Sequence, residues 1–272
     1  MPRFLVPVDF STISVNAALY AVQMAESMAK KEVILYNVTE EVHAGTDGTP
    51  IDFDGEAFLA QNLRSLESLQ VNLFEMGLSP MDIVAEIGEL PERMNPVIDK
   101  YGIDIVVMGI SGSSAGIVGS NVLEISKEST RPVIIVPPQA MYKGAKKVAL
   151  CVELKNIGDK SKARELLKKW LDVLNPELHF VYVGAATEDE LTEDQRAEKA
   201  DIMAAFSKYN SHFNLVPGKD FSQAINGFID KNNIDQIVIF PKRHNMFASL
   251  FSGHHTEKLA YHSHIPVVTV PY

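Results

Sequence analysis

A single cysteine, Cys151, has no partner for an intramolecular disulfide and points to a reducing compartment. No window holds the roughly 18 uninterrupted apolar residues of a transmembrane helix. The opening "MPRFLVPVDF" lacks the basic region, apolar run and cleavage site of a secretory signal. A cytoplasmic protein with no membrane partner is therefore expected. Basic residues are in deficit: 25 Lys and Arg stand against 35 Asp and Glu, a net charge of −10. An acidic surface repels nucleic acid, so no nucleic-acid partner is expected. A nucleotide needs only a local site and is not excluded. Several signatures of chemistry are missing as well. The chain has no Gly-Lys-Ser/Thr of a Walker A loop and no Gly-x-Gly-x-x-Gly after its first apolar run. Its one Gly-x-Ser-x-Gly match, Gly112 to Gly116, falls inside a glycine-rich loop of phosphate-binding type and is not read as a catalytic elbow.

What is present is apolar residues, 46% of the 272, arranged in short runs between longer helical patterns. "RFLVPV", "EVILYNV", "MDIVAEI", "IDIVVMG" and "RPVIIVPP" read as strands. Residues 13–28, 56–74, "PERMNPVIDKYG" and the segment after Gly119 read as helices. Pro91 suits a first helical turn. Strands that are apolar on both faces and alternate with helices predict a parallel sheet covered on both sides.

The order then recurs. "KKVALCVEL" matches "PRFLVPVDF", "ELHFVYV" matches "EVILYNV", and "HIPVVTVPY" matches "TRPVIIVPP". "FIDKNNIDQIVIF" matches "VIDKYGIDIVVMG" through a shared Ile-Asp-Lys-x-x-Ile-Asp. A repeat of about 140 residues is a duplicated domain rather than a solenoid unit. The expected domains are residues 1–140 and 145–272, joined by "PPQAMYKGA". The charged stretch "ATEDELTEDQRAEKAD" reads as a solvated helix face with a capping signal.

The candidate site is "VVMGISGSSAGIVGSN". In an open parallel sheet, ligands bind beyond the carboxyl ends of the strands, where strand order reverses. Asp9 ends the first strand and Gly109 the fourth, so central placement of both would flank one crevice. Glycines admit close backbone approach, and a helix start near Gly119 favours an anion. The same loop reads equally well as a structural turn.

"FLVPVDFS", "VVMGISG", "GSN" and "RPVIIVPP" together resemble the universal stress protein family, over essentially the whole chain. The resemblance implies two tandem Rossmann-like (adenine nucleotide α-hydrolase-like) α/β domains. Each is a mainly parallel five-stranded sheet with helices on both faces. It also implies a stress-response role as a regulator or interaction module, since some members bind ATP and others do not. The nucleotide-binding residues it implies are Pro7, Val8, Asp9, Val38, Met108, Gly109, Gly112, Gly119, Ser120, Asn121 and Val122. Asp9 would meet ribose or base, Val38 the base, and Gly112, Gly119 and Ser120 the ribose and phosphates. The family pattern places nine residues between the second glycine and the Gly-Ser/Thr; here there are six, "SSAGIV". Three residues reach up to about 10 Å, more than one phosphate, so ATP, ADP and AMP all remain candidates.

In the second half Glu153 replaces Asp9, Phe240 replaces Gly109 and Arg243 replaces Gly112. A phenylalanine blocks close approach to phosphate, so this half is expected to be a degenerate domain without a standard nucleotide site. Five of the eight histidines lie between His244 and His264. Their spacing matches no metal signature and no carboxylate or cysteine completes a set, so no metal is expected. Cys151 is expected to be a small buried hydrophobe. A pseudo-dimer of the two domains through "PVIIVPP" and "PVVTVPY" is expected, with a homodimer also open. Two alternatives stand beside the nucleotide-responsive module. One is a weak nucleotide hydrolase, in which Asp47, Asp52 and Asp54 offer carboxylates to Mg²⁺. The other is a scaffold that binds no nucleotide, or binds another small ligand.

Overall fold

The computed structural model describes residues 2–28, 32–41, 53–76, 81–110, 120–154, 161–240 and 265–271. They divide into two compact units, one ending at Tyr142 and the other beginning at Lys143.

In the first unit β1 (Arg3–Pro7), β2 (Glu32–Thr39), β3 (Asp82–Ile87), β4 (Ile105–Gly109) and β5 (Val133–Val136) alternate with α1 (Thr12–Glu26), α2 (Gly55–Glu75), α3 (Leu90–Tyr101) and α4 (Ser120–Glu128). Strand order is β3-β2-β1-β4-β5, and every pairing is parallel. The second unit repeats this. Its strands are β6 (Lys147–Cys151), β7 (Glu177–Val183), β8 (Ser211–Val216), β9 (Gln236–Ile239) and β10 (Val267–Thr269). Its helices among the described residues are α5 (Ser161–Leu174), α6 (Glu193–Ala205) and α7 (Phe221–Asn232). The order is β10-β9-β6-β7-β8, again wholly parallel.

Phe4, Leu5, Leu35, Val106, Val107, Ile134 and Ile135 are fully buried in the first unit, as are Val148, Phe180, Val181, Ile237, Val238 and Val267 in the second. Burial of each large apolar side chain contributes roughly 1.5–3 kcal/mol. Strands buried on both faces in this way belong to a parallel sheet covered by helices on both sides.

The repeated Ile-Asp-Lys-x-x-Ile-Asp has a structural cause. α3 ends at Gly102, which is left-handed at φ +61°, and α7 ends at Asn233, left-handed at φ +52°. Glycine and asparagine are the residues that tolerate this C-terminal cap. The next N–H closes the cap: Ile103 donates to the Ile98 carbonyl at 2.9 Å, and Ile234 to the Ile229 carbonyl at 3.1 Å. The following aspartate pins the start of the unit's first strand. Asp104 Oδ2 accepts from the Arg3 N–H at 2.9 Å. Asp235 Oδ2 accepts from the Lys146 and Lys147 N–H groups at 2.8 and 2.9 Å.

α1 ends at Glu26, two residues before the expected Met28. α3 runs through Pro96, which removes one intrahelical hydrogen bond without ending the helix. The acidic stretch forms α6 with a reciprocal capping box between Thr192 and Gln195, as its spacing predicts. The strand β8 was not anticipated.

Candidate functional site

The chain leaves β1 at the point where strand order reverses. β1 pairs with β2 on one side and β4 on the other, with Phe4 opposite Ile105 and Leu5 opposite Val106. The carboxyl ends of β1 and β4 are thus neighbours, which puts Asp9 and Gly109 at the end of the sheet where such folds form a ligand crevice.

Val8 is locked beneath it. Its N–H donates to the Tyr36 carbonyl at 2.7 Å, and its carbonyl accepts from Asn37 Nδ2 at 2.8 Å. Asn37 is buried. Its Oδ1 accepts from Thr39 Oγ1 at 3.3 Å, and Thr39 Oγ1 accepts in turn from Asn62 Nδ2 on α2. A buried amide stays in place only when its polar atoms are paired, and this chain of bonds pairs both ends of Asn37. Pro7, Val8 and Met108 are buried, and Val38 at the end of β2 is half-buried.

Asp9 emerges from this support. Its Oδ1 accepts from the Ser11 N–H at 3.0 Å and from Ser11 Oγ at 2.6 Å. Its N–H donates to Ser14 Oγ at 3.3 Å. Ser11 is also the N-cap of α1, its side chain accepting from the Ser14 N–H, so one serine both starts the helix and holds the carboxylate. Between them Phe10 is exposed and adopts φ +62°, a region that bulky residues rarely visit. Burial pushes the Asp9 carboxyl up, but the bonds from Ser11 and Ser14 outweigh it and hold its pKa below the ordinary value. Asp9 is therefore an anion and an acceptor at neutral pH. Its Oδ2 has no hydrogen bond among the described residues.

Gly109 has a packing reason of its own. A Cβ there would lie 2.6 Å from the Ile13 carbonyl oxygen and 2.7 Å from Ile13 Cγ2. The first turn of α1 rests directly on the end of β4, and only glycine fits. In α4, which begins at Ser120, Asn121 is half-buried and Val122 buried. Gly112 and Gly119 lie outside the described residues, as do Asp47, Asp52, Arg243 and the histidines 244–264. Asp54 is the N-cap of α2, its side chain accepting from the Ala57 N–H at 3.0 Å.

The equivalent crevice of the second unit is apolar. A cavity of about 50 Å³ is walled by Leu150, Val152, Phe180, Phe206 and Phe240, with Glu153 and Arg164 also lining it. That is a third of the roughly 150 Å³ that takes benzene. Arg164 is paired with Asp201. Cys151 is buried, and burial pushes its thiol up to about 12, so it is no nucleophile at neutral pH. Among the described residues no group of three His, Cys, Asp or Glu side chains is arranged to hold a metal ion. No helix among them is long and apolar enough to cross a membrane.

The family model of the universal stress protein family matches residues 1–137 and 173–271. The chain belongs to the universal stress protein family. Solved structures share this fold. A universal stress protein from Archaeoglobus fulgidus is 17% identical, with a TM-score of 0.68, over 99% of this chain and 96% of that one. A functionally unknown protein from Pseudomonas aeruginosa is 12% identical, with a TM-score of 0.59, over 100% of this chain and 92% of that one. At such identities the likeness is one of fold. No curated protein matches.

Asp9, a candidate site residue, is held by Ser11 of the same Asp-Phe-Ser motif. Asn37, Thr39, Asn62 and Ser14 support the site and were missed by sequence reasoning. The one signal for Asn37 is a polar residue inside the otherwise apolar "EVILYNV".

Proposed function

We propose that the first unit binds an adenine nucleotide at the Asp9 crevice, and that the chain serves as a nucleotide-responsive stress-response module rather than as a strong catalyst. The observation that carries this reading is Asp9, held as an anion by Ser11 and Ser14 where strand order reverses, with Oδ2 unused among the described residues. A fixed carboxylate accepts from ribose hydroxyls, which donate, and repels phosphates, which do not. The sugar would thus face Asp9 and the phosphates lie away from it, toward the start of α4. Pro7, Val8, Val38, Met108, Gly109, Gly112, Gly119, Ser120, Asn121 and Val122 would complete the site, with Mg²⁺ accompanying any polyphosphate. Family membership supports the reading. Gly109 adds little, because α1 requires a glycine there regardless of any ligand.

The second unit, with Phe240 and an apolar crevice, would carry no nucleotide. In this reading residues 1–140 form the nucleotide domain and 145–272 a degenerate partner, paired as an intramolecular pseudo-dimer in the cytoplasm. Equilibrium dialysis against ATP, ADP and AMP, with native mass spectrometry of the purified protein, tests it. One nucleotide per chain is expected. Asp9→Ala removes a charge-assisted hydrogen bond worth about 1.5–3 kcal/mol and should weaken binding roughly 10–100-fold. Absence of saturable binding by all three nucleotides would overturn the proposal.

A further inference from the structure

Glu177 and His179 are two apart on β7 and so point to the same face. On β8 the register partner of His179 is His212, which places three ionisable groups together on the α7 side of the sheet. Both imidazoles approach one carboxylate oxygen: His179 Nε2 lies 3.1 Å and His212 Nε2 3.5 Å from Glu177 Oε1. The two ring centroids are 5.3 Å apart.

The surroundings make the cluster sensitive to protons. From β6, Lys147 Nζ lies 3.9 Å from the other Glu177 oxygen and donates to the Asn232 carbonyl at 3.4 Å. From β8, Asn214 Nδ2 lies 3.5 Å from His179 Nδ1. From α7 the group that meets His179 is the Phe228 ring, at 5.9 Å between centroids, while Asp230 and Lys231 of that helix are exposed. His179 is 6% exposed, and its Nε2 is not aligned for a hydrogen bond despite its closeness to Glu177. His212 is half open to solvent.

We propose that Glu177, His179 and His212 form a proton-operated latch that holds the edge strand β8 and helix α7 on β7, and that mild acid releases it. With neutral imidazoles, the cation facing Glu177 among the described residues is Lys147. Protonating both rings sets three cations around one carboxylate, one of them buried against Phe228. Burial, with His212 and Lys147 acting in the same direction, holds the His179 pKa below its ordinary value against the pull of Glu177. The unfolded chain therefore binds the proton more readily, and the stabilisation is lost as pH falls below the unfolded value of about 6.5. The segment is placed to respond. Within its unit β8 is last in the strand order, and an open groove of about 860 Å³ runs along β8 and α7.

The repeat supplies an internal control. Glu32 stands where Glu177 does, but Ile34 and Asp82 occupy the places of His179 and His212. Hydrogen exchange of the full chain, corrected for intrinsic rates, should show protection of residues 211–232 falling by up to about tenfold between about pH 7.5 and 5.5, with residues 82–101 unchanged. His179→Phe keeps a ring against Phe228 and should abolish the drop. His179→Gln serves the same purpose if the larger ring does not fold. His212→Gln removes the like charge that helps hold the His179 pKa down, so the drop should become shallower. Equal pH dependence in the two segments, or a full drop retained without His179, would overturn the latch.

Discussion

Gly109→Ala separates two reasons for a glycine at the site. The added Cβ would sit 2.6 Å from the Ile13 carbonyl oxygen, 2.7 Å from Ile13 Cγ2 and 2.9 Å from the Ile13 carbonyl carbon. Ordinary contacts of this kind lie near 3.5 Å, so α1 and β4 must part by close to 1 Å. α1 cannot easily yield. Ala17, Ala18 and Ala21 are fully buried, and Asn16 Nδ2 donates to the carbonyls of Pro137 and Ala140, each at 3.2 Å. Overpacking of this kind costs about 1–3 kcal/mol. Gly109 is not among the positive-φ glycines, so alanine returns roughly 0.4–1 kcal/mol by stiffening the unfolded chain. The net loss should be about 1–2 kcal/mol, or roughly 3–8 °C in the melting of the first unit. Urea and thermal unfolding followed by circular dichroism measure this directly. An unchanged or raised melting temperature would refute the packing argument and return the glycine to the ligand. Dialysis on the folded variant completes the test, because a packing role leaves nucleotide affinity within a few-fold of the parent.

Other consequences follow from single groups. Asp235→Ala strands two backbone N–H groups, those of Lys146 and Lys147, at a cost of about 1–3 kcal/mol. Asp104→Ala strands only that of Arg3, so chemical denaturation should find the first change the costlier. Cys151, with its thiol at about 12, should react with a maleimide at neutral pH only as fast as its unit unfolds. Immediate modification of native protein would contradict its burial. Asp9 has a folded pKa below its unfolded value, by hydrogen bonds that exceed the burial effect. Its stabilisation is therefore present above an unfolded pKa of about 3.9 and disappears as pH falls through the lower folded value. A carboxyl-carbon NMR titration of Asp9 with a midpoint above the unfolded value would refute the role given to Ser11 and Ser14.

What the chain reveals unaided is whatever a local pattern controls. Continuous apolar runs such as "FLVPV" and "VVMG" can sit only between two helical layers, so the parallel sheet was legible. The Ile-Asp repeat was legible as a repeat, but its cause, a left-handed cap followed by a strand-pinning aspartate, needed the backbone. β8 escaped because it is an edge strand with a partly open face, and "SHFNLV" lacks the double-faced apolarity of its neighbours. The candidate site was legible at Asp9, where Asp-Phe-Ser is one local motif, and ambiguous at Gly109. Sequence cannot distinguish a glycine required by Ile13 from one required by a phosphate, because both demand the same missing Cβ. The histidine latch lay beyond local pattern altogether, since only strand register sets His179 against His212. Its absence from the first unit, where Ile34 and Asp82 take those places, shows that the shared fold does not need it. The same reasoning separates the two crevices. Asp9 and Gly109 against Glu153 and Phe240 are one scaffold position with opposite chemistry, so any ligand that distinguishes the units is read by side chains at strand ends and not by the fold.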